Sequence, residues 1–166
     1  MTDSEWTIIE AIPGYVSREE CEWLMSLAST VQSWTEIGVF HGRSMMAVGL
    51  GLRRGGHLYL VDIKILPELL ANVEKLKELR PKLHVVVCDK ASALAANELP
   101  DVDVGFIDGN HSYEFVCVDI ITWRRKCEIL CGHDYCPEWP GVFEAVNQLC
   151  TNVSKPAGNI WIEERQ

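Results

Sequence analysis

Two short blocks of this sequence gather residues able to move protons or hold a cation. One reads Ile107-Asp108-Gly109-Asn110-His111-Ser112-Tyr113-Glu114, the other Gly132-His133-Asp134-Tyr135. Each sets a carboxylate beside an imidazole. Two carboxylates with hard oxygens, completed by water, suit Mg²⁺. An imidazole titrates near neutrality, so His111 at such a place can take a proton from a substrate hydroxyl. A histidine met singly is more often a neighbour of a helix cap or a satisfied strand-end residue. Here two of them flank two aspartates, Asp108 and Asp134, and that favours a functional role for His111 and makes His133 a candidate beside its reading as a satisfied strand-end residue. Trp139, in the Pro137-Glu138-Trp139-Pro140 loop just beyond Asp134, is placed to line a substrate mouth.

A second set lies earlier. Residues 34–44 carry Glu36, Gly38, Phe40, Gly42 and Ser44, and read as a strand, a glycine loop and the start of a helix. Glycines at 38 and 42 let the chain turn sharply and let a ligand approach the backbone. The helix start offers free N–H groups and a positive dipole end to a carboxylate or phosphate. A dinucleotide fingerprint needs G-x-G-x-x-G, and Phe40 stands at its middle glycine, where a side chain blocks a pyrophosphate. Asp62 ends a later apolar run, 20 residues beyond Gly42. At that spacing a carboxylate accepts hydrogen bonds from ribose hydroxyls; a helix cap or a solvated loop carboxylate is the alternative. Asp89 closes another apolar run, where the edge of a base would lie.

The elements that must position these residues alternate along the chain. Ser17 and Glu20 form a capping box, and a first helix is predicted near 17–31. A strand at 34–38 leads through the glycine loop to a helix ending near 53, with Met45, Val48 and Leu52 on one side. Gly49 and Gly51 weaken that helix, and close packing against a sheet is the expected compensation. Strands are predicted at 57–62, 83–88, 102–108, 127–132 and 159–163. Helices are predicted from Pro67, at 91–99, at 112–126 and at 140–150. In the helix from Pro67 the stripe is Leu69, Val73, Leu76 and Arg80; in that at 112–126 Tyr113, Val116, Cys117 and Ile120 face inward. Such alternation means parallel pairing through right-handed crossovers, hence a doubly wound, Rossmann-like α/β sheet. One domain is expected over residues 1–166, with its core at 32–166. In such sheets ligands bind beyond the carboxyl ends of the strands, where the residues named above fall.

Composition narrows the partners. The 24 acidic and 15 basic residues give a net charge of −9, and no basic block offsets it. Nucleic acid and anionic membrane are therefore disfavoured as partners, and a small-molecule acceptor is expected. An apolar fraction of 48% allows a buried core. No run is long enough to span a bilayer and the first residues do not pattern as a signal peptide. The seven cysteines are odd in number and form no C-x-x-C. Free thiols in a reducing, cytoplasmic setting are expected. A zinc site from Cys127, Cys131, Cys136 and His133 matches no ligand spacing.

Together Glu36-x-Gly38-x-x-x-Gly42-x-Ser44, Asp62 and the two Asp–His blocks resemble class I S-adenosylmethionine-dependent methyltransferases over roughly residues 32–150. The likeness is to the small macrocin O-methyltransferase type and, more distantly, to catechol O-methyltransferase. It implies a sheet order of 3-2-1-4-5 with a short C-terminal strand. It implies that Gly38, Ser44 and the nearby backbone, including Glu36, Phe40 and Gly42, hold the methionine portion of S-adenosylmethionine. Asp62 then holds the ribose, Asp89 lies by the adenine, and Asp108 borders the cofactor. Asp108 and Asp134 resemble Mg²⁺ ligands, and His111 corresponds to the proton acceptor. His133, Tyr135 and Trp139 are expected on the acceptor side. Tyr135 stands where the catechol-type relatives have an asparagine ligand, so weak Mg²⁺ binding is expected. The implied reaction is O-methylation of a hydroxylated small molecule, a sugar or polyol. The chain lacks room for an extra hairpin and lid, and dimerisation or a small exposed acceptor is expected to compensate. Two rival readings stay open: a nicotinamide-dependent oxidoreductase, which Phe40 opposes, and a non-catalytic module of the same fold.

Overall fold

The apolar runs of this chain are continuous rather than alternating, as strands require when helices cover both faces of their sheet. The computed structural model describes residues 1–164. Capping boxes at Thr2/Glu5 and Ser17/Glu20 open α1 (Asp3–Glu10) and α2 (Arg18–Ala28). Next come β1 (Ser33–Ile37), α3 (Arg43–Gly51), β2 (His57–Asp62), α4 (Pro67–Leu79) and β3 (His84–Asp89). They are followed by α5 (Ser92–Glu98), β4 (Val102–Ile107), α6 (Tyr113–Trp123), β5 (Cys127–Gly132) and α7 (Pro140–Leu149). Two short strands, β6 (Val153–Ser154) and β7 (Trp161–Glu163), end the series.

The sheet order is β3-β2-β1-β4-β5-β7-β6. The first five strands are parallel; β7 runs antiparallel to β5, and β6 to β7. This is the doubly wound order expected from the sequence. The tail holds two strands instead of one, because β6 is too short to show a period. Alternate strand residues face opposite sides, which separates two cores. Trp34, Leu58, Leu60, Val104 and Phe106 meet α1, α2, α3 and α4 on one side. Ile37, Val61, Ile107 and Leu130 meet α5, α6 and α7 on the other.

Register then brings the strand ends level. The N–H of Gly38 donates to Val61 O at 2.9 Å, that of Asp108 to Ile37 O at 2.8 Å, and that of His133 to Ile107 O at 3.0 Å. Glu36 stands opposite Leu60 and Phe106, two positions before Asp62 and Asp108. The three acids therefore share the α1–α4 side of the sheet.

Several predicted boundaries shift. The helix expected at 17–31 stops at Ala28, and α1 was not expected at all. Tyr113 and Cys117 pack against the core at its margin, the Tyr113 hydroxyl binding Gln148, and Asp119 is the buried polar residue of α6. Five of the seven cysteines are buried, and Cys88 and Cys117 are half-buried. Among the described residues no helix is long and apolar enough to cross a membrane. Gly49 and Gly51 serve helix–helix contacts rather than contact with the sheet. A Cβ at Gly49 would lie 2.4 Å from Leu76 Cδ2 of α4, and one at Gly51 would lie 2.4 Å from the carbonyl oxygen of Met25 in α2.

That last contact is testable. Alanine is favoured over glycine inside a helix by about 1 kcal/mol, yet a methyl group against a backbone oxygen forces α2 and α3 apart. Gly51→Ala is expected to lower stability by about 1–3 kcal/mol in urea denaturation. An unchanged or raised midpoint would show that the two helices are not packed this closely.

Candidate active site

The glycine loop is shaped by its left-handed residues. Gly38 has φ +84°, and a Cβ there would lie 2.3 Å from Asp108 O, so the loops after β1 and β4 can touch only if this residue is glycine. Gly42, at φ +87°, caps the start of α3. A Cβ on it would meet Met45 Cε at 2.6 Å and Leu69 Cδ1 at 3.0 Å. The core and the backbone therefore both constrain it. Between them Phe40 adopts φ +51° and leaves its ring half exposed, stacked on Tyr15 at 6.3 Å. Asp62 holds this loop in place. Its Oδ2 accepts from the N–H groups of Val39 (2.9 Å) and Phe40 (3.2 Å), and its Oδ1 from Lys64 N–H (3.1 Å). A carboxylate has about four acceptor positions, so capacity toward the cavity remains.

Glu36 lies one layer deeper than the sequence suggested. It is fully buried and does not line the cavity. Ser44 Oγ donates to its Oε1 at 2.6 Å, while Oε2 has no partner among the described residues. Burial, opposed by that hydrogen bond and reinforced by Asp108 and Asp62, pushes its carboxyl up to about 8. Glu36 is thus a neutral acid at pH 7, supporting the loop rather than touching a ligand. Ser44 lines the cavity with its hydroxyl turned away toward Glu36.

At the ends of β4 and β5 the second constellation assembles. Asp134 takes φ +59°. Its Oδ2 lies 2.7 Å from His111 Nε2, out of line for a hydrogen bond, and its Oδ1 lies 3.3 Å from His133 Nδ1. The same His133 Nδ1 is 3.6 Å from Asp108 Oδ1, and His133 Nε2 is 3.1 Å from Glu20 Oε1. Burial disfavours a charged His133, yet Asp134, Glu20 and Asp108 outweigh it and carry the ring up to about 10. Burial likewise opposes ionisation of Glu20, but His133 and the N–H groups of Ser17 and Asn159 bring it down to about 2. Asp108 is pushed up to about 7 by burial, with His133 opposing. Asp134 is held below its usual range by the two imidazoles, against its burial. The contact with Asp134 raises His111, with burial opposing.

These residues open onto one cavity of about 860 Å³. Gly38, Phe40, Gly42, Ser44, Asp62, Asp108, His111, His133, Asp134 and Trp139 all line it. Trp139 stacks on His111 with ring centres 4.2 Å apart. Besides Glu36, two expected residues are elsewhere. Asp89 is exposed and outside the lining, because β3 is the outermost strand; Lys90, Ala91 and Ser92 reach the cavity in its place. Tyr135 turns toward α7, where its hydroxyl donates to Asn147 Oδ1 at 2.7 Å and its ring stacks on Phe143. The left-handed turn at Asp134 sends the next side chain that way.

Sequence reasoning also missed contributors. Glu20 was read as a cap alone; it accepts from Ser17 N–H at 2.7 Å and from Asn159 N–H at 2.7 Å while facing His133. Pro13, Gly14, Tyr15 and Val16 form one cavity wall, fastened by Arg43 to the carbonyls of Ile12 (2.7 Å) and Val16 (3.2 Å). The spacing of Thr2 and Glu5, identical to that of Ser17 and Glu20, was the available signal for the helix behind this wall.

The donor set can accommodate a divalent ion. One atom each of Asp108, His133 and Asp134 lie within 4.8 Å of one another, and Glu20 backs the imidazole as carboxylates commonly do for ligating histidines. Tyr135 supplies no ligand. Two oxygens and one nitrogen leave the remaining positions of an octahedron to water or substrate.

A family model described as a methyltransferase domain matches residues 35–135. No curated protein matches the chain. Among solved structures, an O-methyltransferase from Bacillus cereus in complex with SAH shares 15% identity, covering 98% of this chain and 90% of that one, with a TM-score of 0.72. An SAH-bound methyltransferase from Podospora anserina shares 15% identity over 100% and 89% of the two chains, with a TM-score of 0.68. A precorrin 8w decarboxylase from Methanobacterium thermoautotrophicum shares 15% identity over 95% of each, with a TM-score of 0.67. At such identities these likenesses speak for the fold.

Two buried acids give stability predictions. Glu36 has a folded-state value above its unfolded one, so its contribution is full below about 4.5 and is lost as pH rises through about 8. Glu36→Gln, neutral at every pH, is expected to melt like the parent at pH 5 and several degrees higher at pH 8. Equal melting at both values would show that Glu36 is ionised without cost. Glu20→Gln leaves His133 short of a buried counter-charge and is expected to cost about 3–5 kcal/mol in urea denaturation. A cost under about 1 kcal/mol, the range of exposed pairs, would remove Glu20 from the network.

Proposed function

The chain belongs to the methyltransferase-domain family matched over residues 35–135, and we propose that it transfers the methyl group of S-adenosylmethionine to a hydroxyl of a small molecule. The observation that carries this reading is one cavity joining a loop held by Asp62 to an imidazole, His111, in contact with Asp134. When bound, S-adenosylmethionine supplies an electrophilic methyl on a sulfonium.

The protein's own residues divide the remaining work. The free N–H groups at the start of α3 face the cavity beside Gly42 and suit a carboxylate. Asp62 keeps acceptor capacity for ribose hydroxyls. His111 stands at the acceptor side, held by Asp134 and by the face of Trp139. It takes the proton from the attacking hydroxyl, and Asp134 stabilises the imidazolium that results. Alignment of the oxygen with the methyl group, in a pocket walled by Pro13–Val16 and Trp139, supplies much of the rate. Asp108 and Asp134, with His133 as third donor, are the residues that would hold Mg²⁺, which would lower the pKa of a bound hydroxyl.

Two carboxylates and an indole face at the acceptor side support a sugar or polyol, whose hydroxyls donate to the acids while its ring lies on Trp139. The motif pair around Asp108 and Asp134 supports the macrocin O-methyltransferase type within the family.

The deciding experiment is calorimetric titration with S-adenosylmethionine and with NAD, followed by a methyl-transfer screen over hydroxylated small molecules. Binding of the first and turnover of a hydroxyl acceptor are expected. Binding of NAD alone would overturn the proposal, and cofactor binding without turnover would leave a non-catalytic module. His111→Ala is expected to lower kcat by about 10²–10⁴-fold with the cofactor KM near that of the parent. Full activity of that variant would remove His111 from the mechanism.

A further inference from the structure

Asp119 is a buried carboxylate that none of the chemistry above uses. It sits at the middle of α6, only 7% exposed, in a helix that otherwise presents apolar residues to the sheet, yet it reaches the cavity lining. An ionised group at such a depth is costly unless it is paired. Burial raises its carboxyl above the ordinary value, and the Ser92 hydroxyl acts against that rise. Ser92 is itself oriented. Its Oγ accepts from the indole N–H of Trp123 at 2.7 Å, which leaves its own hydrogen to donate to Asp119. Three residues on two helices thus aim one carboxylate into the cavity, and its remaining acceptor positions point to a donor from the ligand.

The surroundings say what kind of donor. The lining near Asp119 includes Ala91 and Ser92 beyond β3, Gly109 beyond β4 and the ring of Phe115, one turn earlier on α6. Ile63, beyond β2, is another apolar wall, and it and Phe115 are both largely exposed to the open space. Apolar side chains flanking a hydrogen-bonding group suit a flat ring with a polar edge. Asp62 lies at the end of β2, one strand inward from β3, and lines the same cavity. A nucleoside held by its ribose at Asp62 would extend its base outward toward the end of β3.

We propose that Asp119, set by Ser92 and Trp123, accepts a hydrogen bond from the exocyclic amino group of adenine and so selects an adenosyl over an oxo-purine cofactor. The proposal rests on the cofactor reading above. It replaces Asp89, which the sequence placed beside the base, with an acid from a different element. A carboxylate attracts the 6-amino group of adenine and repels the 6-oxo group of hypoxanthine, so the contact discriminates by charge as well as by fit.

The test compares S-adenosylhomocysteine with S-inosylhomocysteine by calorimetry. The parent protein is expected to prefer the amino compound by about tenfold or more, the range of one hydrogen bond to a charged group. Asp119→Asn and Asp119→Ala, each checked for an intact thermal melt, are expected to reduce that preference to about threefold or less. Equal affinity of the parent for both compounds, or an unchanged preference in a folded variant, would overturn the Asp119 assignment while leaving the cofactor reading intact. Absence of binding by either compound would overturn both.

Discussion

Everything at the functional end of this molecule follows from the repulsion among acids that the fold crowds together. Parallel strands with level ends deliver Glu36, Asp62, Asp108 and Asp134 to one region, and Glu20 arrives from α2. Left ionised and unpaired, they would push the strand ends apart. Each is handled by a different means. Glu36 stays protonated beneath the others. Asp62 is tied down by three backbone N–H groups. His133 lies among Glu20, Asp108 and Asp134, and His111 faces Asp134 from the cavity side. The same balancing leaves an imidazole and a carboxylate beside open space, where a hydroxyl can be deprotonated.

What could be read from the sequence was whatever depends on neighbours along the chain. Strand and helix order follow from apolar runs alternating with helical stripes, crossover handedness gives parallel pairing in a doubly wound sheet, and the order of the first five strands came from the family resemblance. The topology rule then places Asp62, Asp108 and Asp134 at one crevice without any knowledge of side-chain positions. His111 and Trp139 share the cavity for the same reason, being only a few residues past strand ends.

The failures have the opposite character. Glu20, Arg43 and Asp119 gain their roles from partners far away in sequence, and nothing local distinguishes them from a cap, a helix start and a helix interior. Asp89 pairs with Asp62 in the register, yet one further strand outward is enough to leave it in solvent. Tyr135 is lost to the site through a single left-handed residue, Asp134; aspartate is among the few non-glycine types that favour this region, but nothing local singles out this one. Gly51 was correctly seen as a weak point of its helix, but its neighbour is the backbone of α2 and not the sheet.

The Glu20 carboxylate joins points that lie far apart along the chain. Its partners His133 and Asn159 are 113 and 139 residues further along the chain. A contact across such a distance cannot form until residue 159 has left the ribosome, and its loop closes at an entropic cost that local helices do not meet. The five parallel strands can pair earlier, but with their acids still unbalanced. A nascent or prematurely terminated chain would then hold a recognisable sheet and no working site. The site is complete only when the turn before β7 reaches back to α2.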